Sequence, residues 1–384
     1  MINLKKKKIL KIFLWSPMLS NVGTNTAMNG IAQSLTKYSN SKIYFLDILG
    51  EFSRFNDGKN FYLRFLKINH IVPNTGKVSK LLILFFSILS IPFLIRQIIS
   101  KKPDIIISGL VGFVPSLMKY FFRDLIIINS IQGYPKFSFL RKIIWSIFYK
   151  KSDYLITMTK KTKYEIQSII GINEDKIFVI ENPVLSKNIR KLSNENINNE
   201  EKFIFKKKVF CAIGRLTHQK NFLKLLEYIS EINNLIQIDF NLIIIGDGEQ
   251  KKELADFIKE KNLNNCYLLG FKKNPYKYLV RSDLYISTSR WEEPGHTLLE
   301  AGYLNVPILS SDCPNGPNEI IQNNFNGIKY KLDNNVDFMR KFNEFLNLDD
   351  DTKYLLSLNM KKSVINYSQY RFSKNFFKIF KLSS

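Results

Sequence analysis

Two short runs in the second half of the chain have the residue types and spacing to do chemistry. The first is Gly214-Arg215-Leu216-Thr217-His218-Gln219-Lys220-Asn221. It follows an apolar run at 209–213 that reads as a buried strand and opens a stretch at 221–232 that reads as a helix. A glycine at such a turn lets backbone approach a ligand, and a helix start offers free N–H groups and positive field. Arg215 and Lys220 add two cations, so the run suits a diphosphate. The same residues also fit a plain strand-to-helix turn with solvated basic side chains. The second run is Ser289-Arg290-Trp291-Glu292-Glu293-Pro294-Gly295-His296-Thr297-Leu298-Leu299-Glu300-Ala301. Glu292 falls in a loop after a strand, and Glu300 one turn into the helix that follows. Two carboxylates so placed accept hydrogen bonds from hydroxyls, as a sugar requires. Backbone N–H groups of Gly295, His296 and Thr297 would turn toward a phosphate. The alternative is a capped helix with Glu300 on a solvated face, and Leu298, Leu299 and Ala301 argue against it by marking that helix as buried. A third run, 310–319, has two prolines and a glycine that fix an irregular loop, a weak signal by itself.

These loops need elements to position them. In the first half, Ile-rich runs at 9–15, 42–49, 104–108, 125–130, 154–157 and 177–180 read as buried parallel strands. Helical stretches fall between them at 27–37, 78–100, 139–150 and 159–169, with Thr159 a plausible N-cap. A polar break at 191–202 follows. The alternation then restarts with strands at 209–213, 242–245, 267–269, 284–287, 306–309 and 328–330 and helices at 221–232 and 249–261. This order predicts an α/β protein with two doubly wound parallel sheets. Ligands of such sheets sit beyond the carboxyl ends of the strands, and a cleft between two such domains is the default site. We expect a first domain at 1–183, a second at 184–360, and a helical tail at 361–384 that crosses back to the first.

Taken together, G-R-L-x-x-x-K-N at 214–221, E-x7-E-A at 292–301, the strand at 306–309 and G-P-x-E-I at 316–320 resemble the retaining glycosyltransferases of family 4, which have the GT-B fold. Spacing selects Glu292 rather than Glu293 as the first glutamate. The resemblance is close in the second domain. In the first it is looser, through Gly23 after the first strand, Lys102-Pro103-Asp104 and Glu181-Asn182-Pro183-Val184. It implies that the second domain holds a nucleotide-sugar and the first an acceptor. Arg215 and Lys220, after Gly214, would bind the diphosphate and Glu300 the ribose hydroxyls. Glu292 would hold donor-sugar hydroxyls near the reacting carbon, with Gly295, His296 and Thr297 beside it. Gly246-Asp247-Gly248 and Gly270-Phe271 would border the base, or are turns after strands. The chain departs from the family at Asn129-Ser130-Ile131-Gln132-Gly133, where a histidine is often found. Gln132 can hydrogen-bond a sugar hydroxyl but cannot act as a base. That fits a mechanism in which the leaving diphosphate takes the acceptor's proton. His70 and His218 read as surface residues. The family's members with a similar Trp-Glu-x-Pro-Gly stretch and Cys-Pro-x-Gly-Pro loop look like enzymes of bacterial surface-polysaccharide assembly, which implies a glycan or lipid-linked acceptor.

Composition bounds the alternatives. A chain of 384 residues, 45% hydrophobic and 14% aromatic, can build two real cores. Cys211, Cys266 and Cys313 are too few and too scattered for a disulfide framework or a zinc ribbon, which suggests a reducing, cytoplasmic setting. The 57 Lys+Arg against 33 Asp+Glu give +24. Such a charge favours anionic partners, although a Lys-, Asn- and Ile-rich codon bias accounts for part of it. A nucleic-acid-binding protein would show a basic stripe with interleaved aromatics, which is absent here, so no nucleic-acid partner is expected. A nucleotide-sugar epimerase of the same architecture would need acid/base side chains in its cleft, and only three histidines are present. A metal-dependent transferase would carry Asp-x-Asp at a strand end, whereas Asp349-Asp350-Asp351 lies in a polar connection. No metal and no cofactor are expected, because a cationic site can neutralise the diphosphate. No secretory signal is evident at the start. Residues 81–95 are apolar apart from Ser87, Ser90 and Pro92, and the run is shorter than the ~20 residues that span a bilayer. It reads as a helix packed on a sheet or lying partly in a membrane interface. Lysines at 5–8, Lys77, Lys80, Lys101, Lys102, Lys136, Arg141 and Lys142 surround that run and a second one, where Phe137, Leu140, Ile144, Trp145 and Phe148 recur at helical spacing. Peripheral contact with an anionic membrane, on the inner face of the plasma membrane, is the expectation.

Overall fold

The computed structural model describes residues 9–19, 23–55, 60–67, 76–133, 135 and 138–380. The lysines at 5–8, His70, Lys136 and Phe137 lie outside them, as does the side chain of Lys77. The chain forms two units, Met1–Val184 with Tyr367–Ser384, and Leu185–Asn366.

The first unit is built on seven strands: β1 (Leu10–Trp15), β2 (Ser41–Asp47), β3 (Phe61–Arg64), β4 (Ile105–Ser108), β5 (Ile126–Ser130), β6 (Tyr154–Thr157) and β7 (Ile177–Val179). Their order is β3-β2-β1-β4-β5-β6-β7, and every pair is parallel. Ile12, Phe13, Leu14 and Trp15 of β1 are wholly buried. A strand covered on both faces has to be apolar at successive positions, which is why these runs do not alternate. Each such side chain withdrawn from water contributes about 1.5–3 kcal/mol. β3 was not anticipated: it is a four-residue edge strand with no fully buried residue.

The expected single helix over 78–100 is two, Gly76–Leu89 and Ile91–Lys101, bent by 47°. Pro92 lacks the N–H that would reach the carbonyl of Ile88. Ser87 and Ser90 turn their hydroxyls back onto Ile83 O at 2.6 Å and Ser87 O at 2.9 Å. Ile83, Leu94 and Ile98 pack on the sheet, whereas Leu81, Phe85, Ile88 and Leu89 face outward. Among the described residues no single helix is long and apolar enough to cross a membrane.

The second unit repeats the plan with β8 (Lys208–Ile213), β9 (Phe240–Ile245), β10 (Cys266–Gly270), β11 (Leu284–Ser287), β12 (Ile308–Ser311) and β13 (Ile328–Tyr330), in the order β10-β9-β8-β11-β12-β13, all parallel. The polar stretch after 191 is partly ordered, with a helix at Lys187–Ser193 and a 3-10 turn at Asn199–Lys206 that buries Ile204. Two doubly wound parallel sheets of this kind are the GT-B architecture. Residues 361–366, assigned above to the returning tail, stay with the second unit. The helix Asp350–Val364 buries Leu356, Met360 and Val364 there. It packs so tightly on the helix His296–Tyr303 that a Cβ on Gly302 would meet Met360 Cγ at 2.5 Å. The return is made by the helix Gln369–Ile379, whose Phe372, Phe376 and Phe377 join the first unit's core beside the helix Gly23–Tyr38. Gln369 Nε2 donates to Gln33 Oε1 at 2.9 Å.

Candidate active site

In the second unit the strand order reverses between β8 and β11. The loops that leave these two strands therefore part to opposite sides and open a crevice at their carboxyl ends. The run 214–221 leaves β8, and the run 288–295 leaves β11. The two loops are stitched together. Thr288 Oγ1 donates to Lys220 O at 2.9 Å, Gln219 Nε2 to Trp291 O at 2.9 Å, and Arg290 N to Gln219 O at 2.9 Å. Arg290 also reaches His218 Nε2 at 2.8 Å and Asn221 Oδ1 at 3.3 Å.

Glycines allow the close approach. A Cβ on Gly246 would fall 1.8 Å from Gly214 O, and one on Gly316 1.8 Å from Pro294 O. Gly316 belongs to the third loop, whose Asn315 pairs with Glu292 in a backbone bridge. The weak signal at 310–319 is thus the backing of the Glu292 loop: Ser311 Oγ donates to Ser289 O at 2.6 Å.

Within this frame Lys220 Nζ meets Glu292 Oε1 at 2.5 Å, and Ser289 Oγ donates to the same oxygen at 2.6 Å. Arg215 is exposed, with Gln219 Oε1 3.5 Å away. Glu293 is half-buried beside the more deeply buried Glu292. Gly295, in the left-handed region with φ 96°, starts the helix His296–Tyr303. Thr297 Oγ1 lies 2.7 Å from Tyr285 OH. One turn on, Glu300 Oε1 accepts a hydrogen bond from Tyr276 OH at 3.0 Å. Burial pushes the Glu300 carboxyl up to about 7, against the pull of Tyr276 and of the Lys220 charge. Burial, with help from Lys220 and against the pull of Glu292, holds the His296 imidazole down at about 4, so it is neutral at physiological pH. The arrangement brings the Lys220–Glu292 pair against the start of the His296–Tyr303 helix, with Glu300 one turn further on.

The description "Glycosyl transferases group 1" matches residues 193–367. An uncharacterised glycosyltransferase of Methanocaldococcus jannaschii is 33% identical over 301 residues, covering 72% of this chain and 74% of that one. The chain belongs to the group 1 glycosyltransferases. A Campylobacter jejuni protein named as an N-acetylgalactosamine-N,N'-diacetylbacillosaminyl-diphospho-undecaprenol 4-alpha-N-acetylgalactosaminyltransferase is 28% identical over 51% of this chain and 52% of its own. Anabaena HepE, solved in complex with UDP, shares the fold with a TM-score of 0.77 at 15% identity, covering 97% of this chain and all of that one.

The remaining sequence-derived positions of this glycosyltransferase fall in three places. Phe271, after β10, is 76% exposed, and Gly246 and Gly248 pack under the 214–216 backbone. Gly23 opens the helix Gly23–Tyr38 in the first unit and is exposed. Gln132, also in the first unit, donates to Ser130 Oγ at 2.6 Å and accepts from Asn182 Nδ2 at 2.7 Å. Among the described residues no cluster of three or more His, Cys, Asp or Glu converges as a metal site. Asp349 caps the helix Asp350–Val364, accepting from Thr352 N at 2.7 Å. Sequence reasoning gave no role to Tyr276 or Ser289, which hold the two glutamates. Ser289 stood inside a quoted run, three residues before its partner. Tyr276 lies on a separate short helix with no local signal. Among the described residues Thr217 Oγ1 and both amide atoms of Asn315 are buried without a hydrogen-bond partner, and such groups in a folded protein call for an explanation.

Proposed function

We propose that this protein is a retaining glycosyltransferase of the family 4 type that moves a sugar from a nucleotide-sugar to a lipid-linked or glycan acceptor in the assembly of a bacterial surface polysaccharide. The observation that carries the reading is Lys220 held against Glu292 at the β8–β11 reversal, with Arg215 and the start of the His296–Tyr303 helix beside it.

Arg215 and Lys220 take the diphosphate, and the backbone N–H groups at 295–297 add to the same positive field. Glu300, held by Tyr276, accepts from the ribose hydroxyls in its ionised form. Glu292 binds the donor sugar through the oxygen that Lys220 and Ser289 leave free. As the glycosidic bond breaks, negative charge grows on the diphosphate, where fixed cations stabilise it without reorganising. His296, held down at about 4, is too weak a base for the acceptor hydroxyl, so the leaving diphosphate takes the acceptor's proton and the new bond forms on the face the old one left. The Campylobacter relative's printed name specifies an α linkage on a diphospho-undecaprenol acceptor, which supports both the outcome and the acceptor class. HepE's UDP makes uridine diphosphate sugars the first donors to screen. The basic, partly apolar surface of the first unit supports peripheral work at the inner face of the plasma membrane.

The test is a donor screen by thermal shift, followed by transfer to a lipid-diphosphate sugar and NMR of the product. A ligand at 100 times its dissociation constant stabilises by ~2.7 kcal/mol. An α-linked product from an α-linked donor is expected. Inversion at the anomeric carbon, or no shift with any nucleotide-sugar, would defeat the proposal.

A further inference from the structure

Tyr276, which holds Glu300, needs a support of its own. It opens the four-residue helix Tyr276–Leu279, and its phenol donates to Glu300 Oε1 at 3.0 Å. So short a helix has too few internal bonds to fix its own place. Residues 187–201, which follow the passage from the first unit to the second after Val184, supply what it lacks. Asn274 lies between the two segments. Its Oδ1 accepts from Tyr276 N at 3.2 Å, and its Nδ2 donates to Leu192 O at 2.8 Å and to Glu195 Oε2 at 2.8 Å. A backbone N–H can only donate and a carbonyl can only accept, so a single orientation of this amide serves both sides.

Bonds on either flank repeat the link. Glu201 takes Lys272 Nζ on one oxygen and Tyr278 OH on the other, both at 2.6 Å. Arg281 Nη1 donates to Ser193 O at 3.1 Å, and Lys277 Nζ to Asn196 O at 3.0 Å. The helix Lys187–Ser193 also meets the helix that carries Glu300: the Arg190 guanidinium lies over the Tyr303 ring, 5.1 Å from its centroid. Donor and acceptor of the Tyr276–Glu300 bond are thus registered against one helix. Ile189, Ile197 and Ile204 are buried and anchor the segment itself. Burial and the Glu300 charge push the Tyr276 phenol up, so it stays a donor. Glu195 is exposed and Asn274 half-buried, so their bond contributes little to global stability. What it fixes is where Tyr276 stands.

We propose that Asn274 is a positioning residue for nucleotide binding, tying Tyr276 to residues 192–195 and thereby holding the Glu300 carboxylate in the orientation that a ribose needs. The proposal rests on the ribose role given to Glu300 above. Without the Asn274 amide the short helix shifts, Glu300 loses its donor, and its ionised form loses a stabilising bond. Lys220 and Tyr285 of β11 also act on that carboxyl, and both are left in place.

UDP is titrated calorimetrically into the full chain and into Asn274→Ala, Asn274→Asp, Tyr276→Phe and the double variant Asn274→Ala with Tyr276→Phe. Asn274→Asp keeps an acceptor for Tyr276 N, cannot donate to Leu192 O, and places a carboxylate beside Glu195. Both Asn274 variants are expected to bind UDP about tenfold more weakly, as loss of a hydrogen bond to a charged group implies, with melting temperatures near that of the unaltered chain. The double variant is expected to bind no more weakly than Tyr276→Phe. Adding Glu195→Gln to Asn274→Asp restores a donor opposite the carboxylate and is expected to tighten binding again. Unchanged affinity in Asn274→Ala, additive losses in the double variant, or normal binding by Asn274→Asp would each overturn the proposal. Carboxyl ¹³C NMR of Glu300 in the ligand-free protein separates this from the ribose reading. Its titration is expected to move upward in Asn274→Ala as in Tyr276→Phe. If it moves while the unaltered chain binds no nucleotide, the ribose reading fails and the positioning stands; if UDP binds and the titration stays put, the positioning fails.

Discussion

Lys220 Nζ sits 2.5 Å from Glu292 Oε1, with the two side chains only 14% and 9% exposed. The resemblance gave them different partners, one the diphosphate and the other the sugar; the structure makes each the other's partner. Breaking such a pair from one side leaves a charge with little water around it, a loss of several kcal/mol. Lys220→Ala and Glu292→Gln are each expected to lower both turnover and melting temperature. Lys220→Met with Glu292→Gln is expected to recover the melting temperature and not the turnover. Arg215 is exposed, so Arg215→Ala should leave stability alone and lower kcat/KM by about 2–4 kcal/mol of transition-state binding. Calorimetry and steady-state kinetics on the four variants check this. Normal turnover in Lys220→Ala would remove it from the site.

Glu300 gives the site a pH dependence with a definite sign. Its carboxyl holds a proton up to about 7 in the folded protein against an ordinary 4.5. Between those values the folded state binds more protons than the unfolded one. The group's contribution to stability is therefore present below pH 4.5 and is lost as pH rises through about 7. Ligand binding runs the other way, because ribose hydroxyls need the carboxylate. Nucleotide affinity is expected to climb through pH 7 and level off above it. Glu300→Gln should flatten both curves. Tyr276→Phe removes the bond that favours the ionised form and should move the affinity midpoint upward. An acid limb that survives in Glu300→Gln would point to another group. His296, at about 4, titrates too low to produce it.

How much of this was visible beforehand follows from where each signal lives. Buried parallel strands are written as apolar runs, so twelve strands were legible, whereas edge strand β3, short and without a fully buried residue, was not. Thr159 was read as an N-cap and accepts from Thr162 N at 3.2 Å. The break at Ser90 and Pro92 was visible as residues but not as a bend, because its consequence depends on what the next turn packs against. Glu292, Glu300, Arg215 and Lys220 stand in local patterns. Ser289 and Tyr276 act through tertiary contact, and Tyr276 reaches Glu300 across 24 residues. No spacing rule connects those two.

The backing loop carries a sharper test. A methyl group at Gly316 would sit 1.8 Å from Pro294 O and must push the Glu292 loop away from its support. Gly316→Ala is expected to lower turnover at least tenfold through Glu292, because small misplacements of a positioned group are costly. UDP binding should fall less than turnover, because Tyr276 rather than this loop holds Glu300, while Pro294 leads into the N–H groups at 295–297. Equal loss of UDP affinity and turnover would mean that the loop serves the nucleotide instead.

The charge supply predicts metal-independent transfer. On the proposed reading Arg215, Lys220 and the N–H groups at 295–297 would take the leaving diphosphate, so EDTA should leave the rate unchanged. Raising salt should slow the reaction by screening the donor's approach. Loss of transfer in EDTA with rescue by Mg²⁺ or Mn²⁺ would contradict this assignment of the positive field.

The first unit's outer surface sets the last expectation. Leu81, Phe85 and Ile88 on one helix and Phe139, Leu140 and Ile143 on another are exposed, with Lys80, Arg141 and Lys142 on the same helices and Arg96, Lys101 and Lys102 on or just after the helix Ile91–Lys101. Each Lys or Arg near an anionic bilayer contributes ~1 kcal/mol, and shallow burial of the apolar side chains adds to it. A few such contacts hold a protein at the surface reversibly without a spanning helix. Flotation with anionic vesicles should show binding at low salt that falls as salt rises, and alkaline carbonate should release it. Phe139→Glu with Leu81→Glu should weaken binding, while nucleotide affinity stays the same because the proposed donor site lies in the other unit. Equal binding to neutral vesicles would show that charge is not the attraction, and no binding to anionic ones would remove the docking surface altogether. Retention through carbonate would mean that Gly76–Leu89 and Ile91–Lys101 insert as a bent pair rather than lie on the surface.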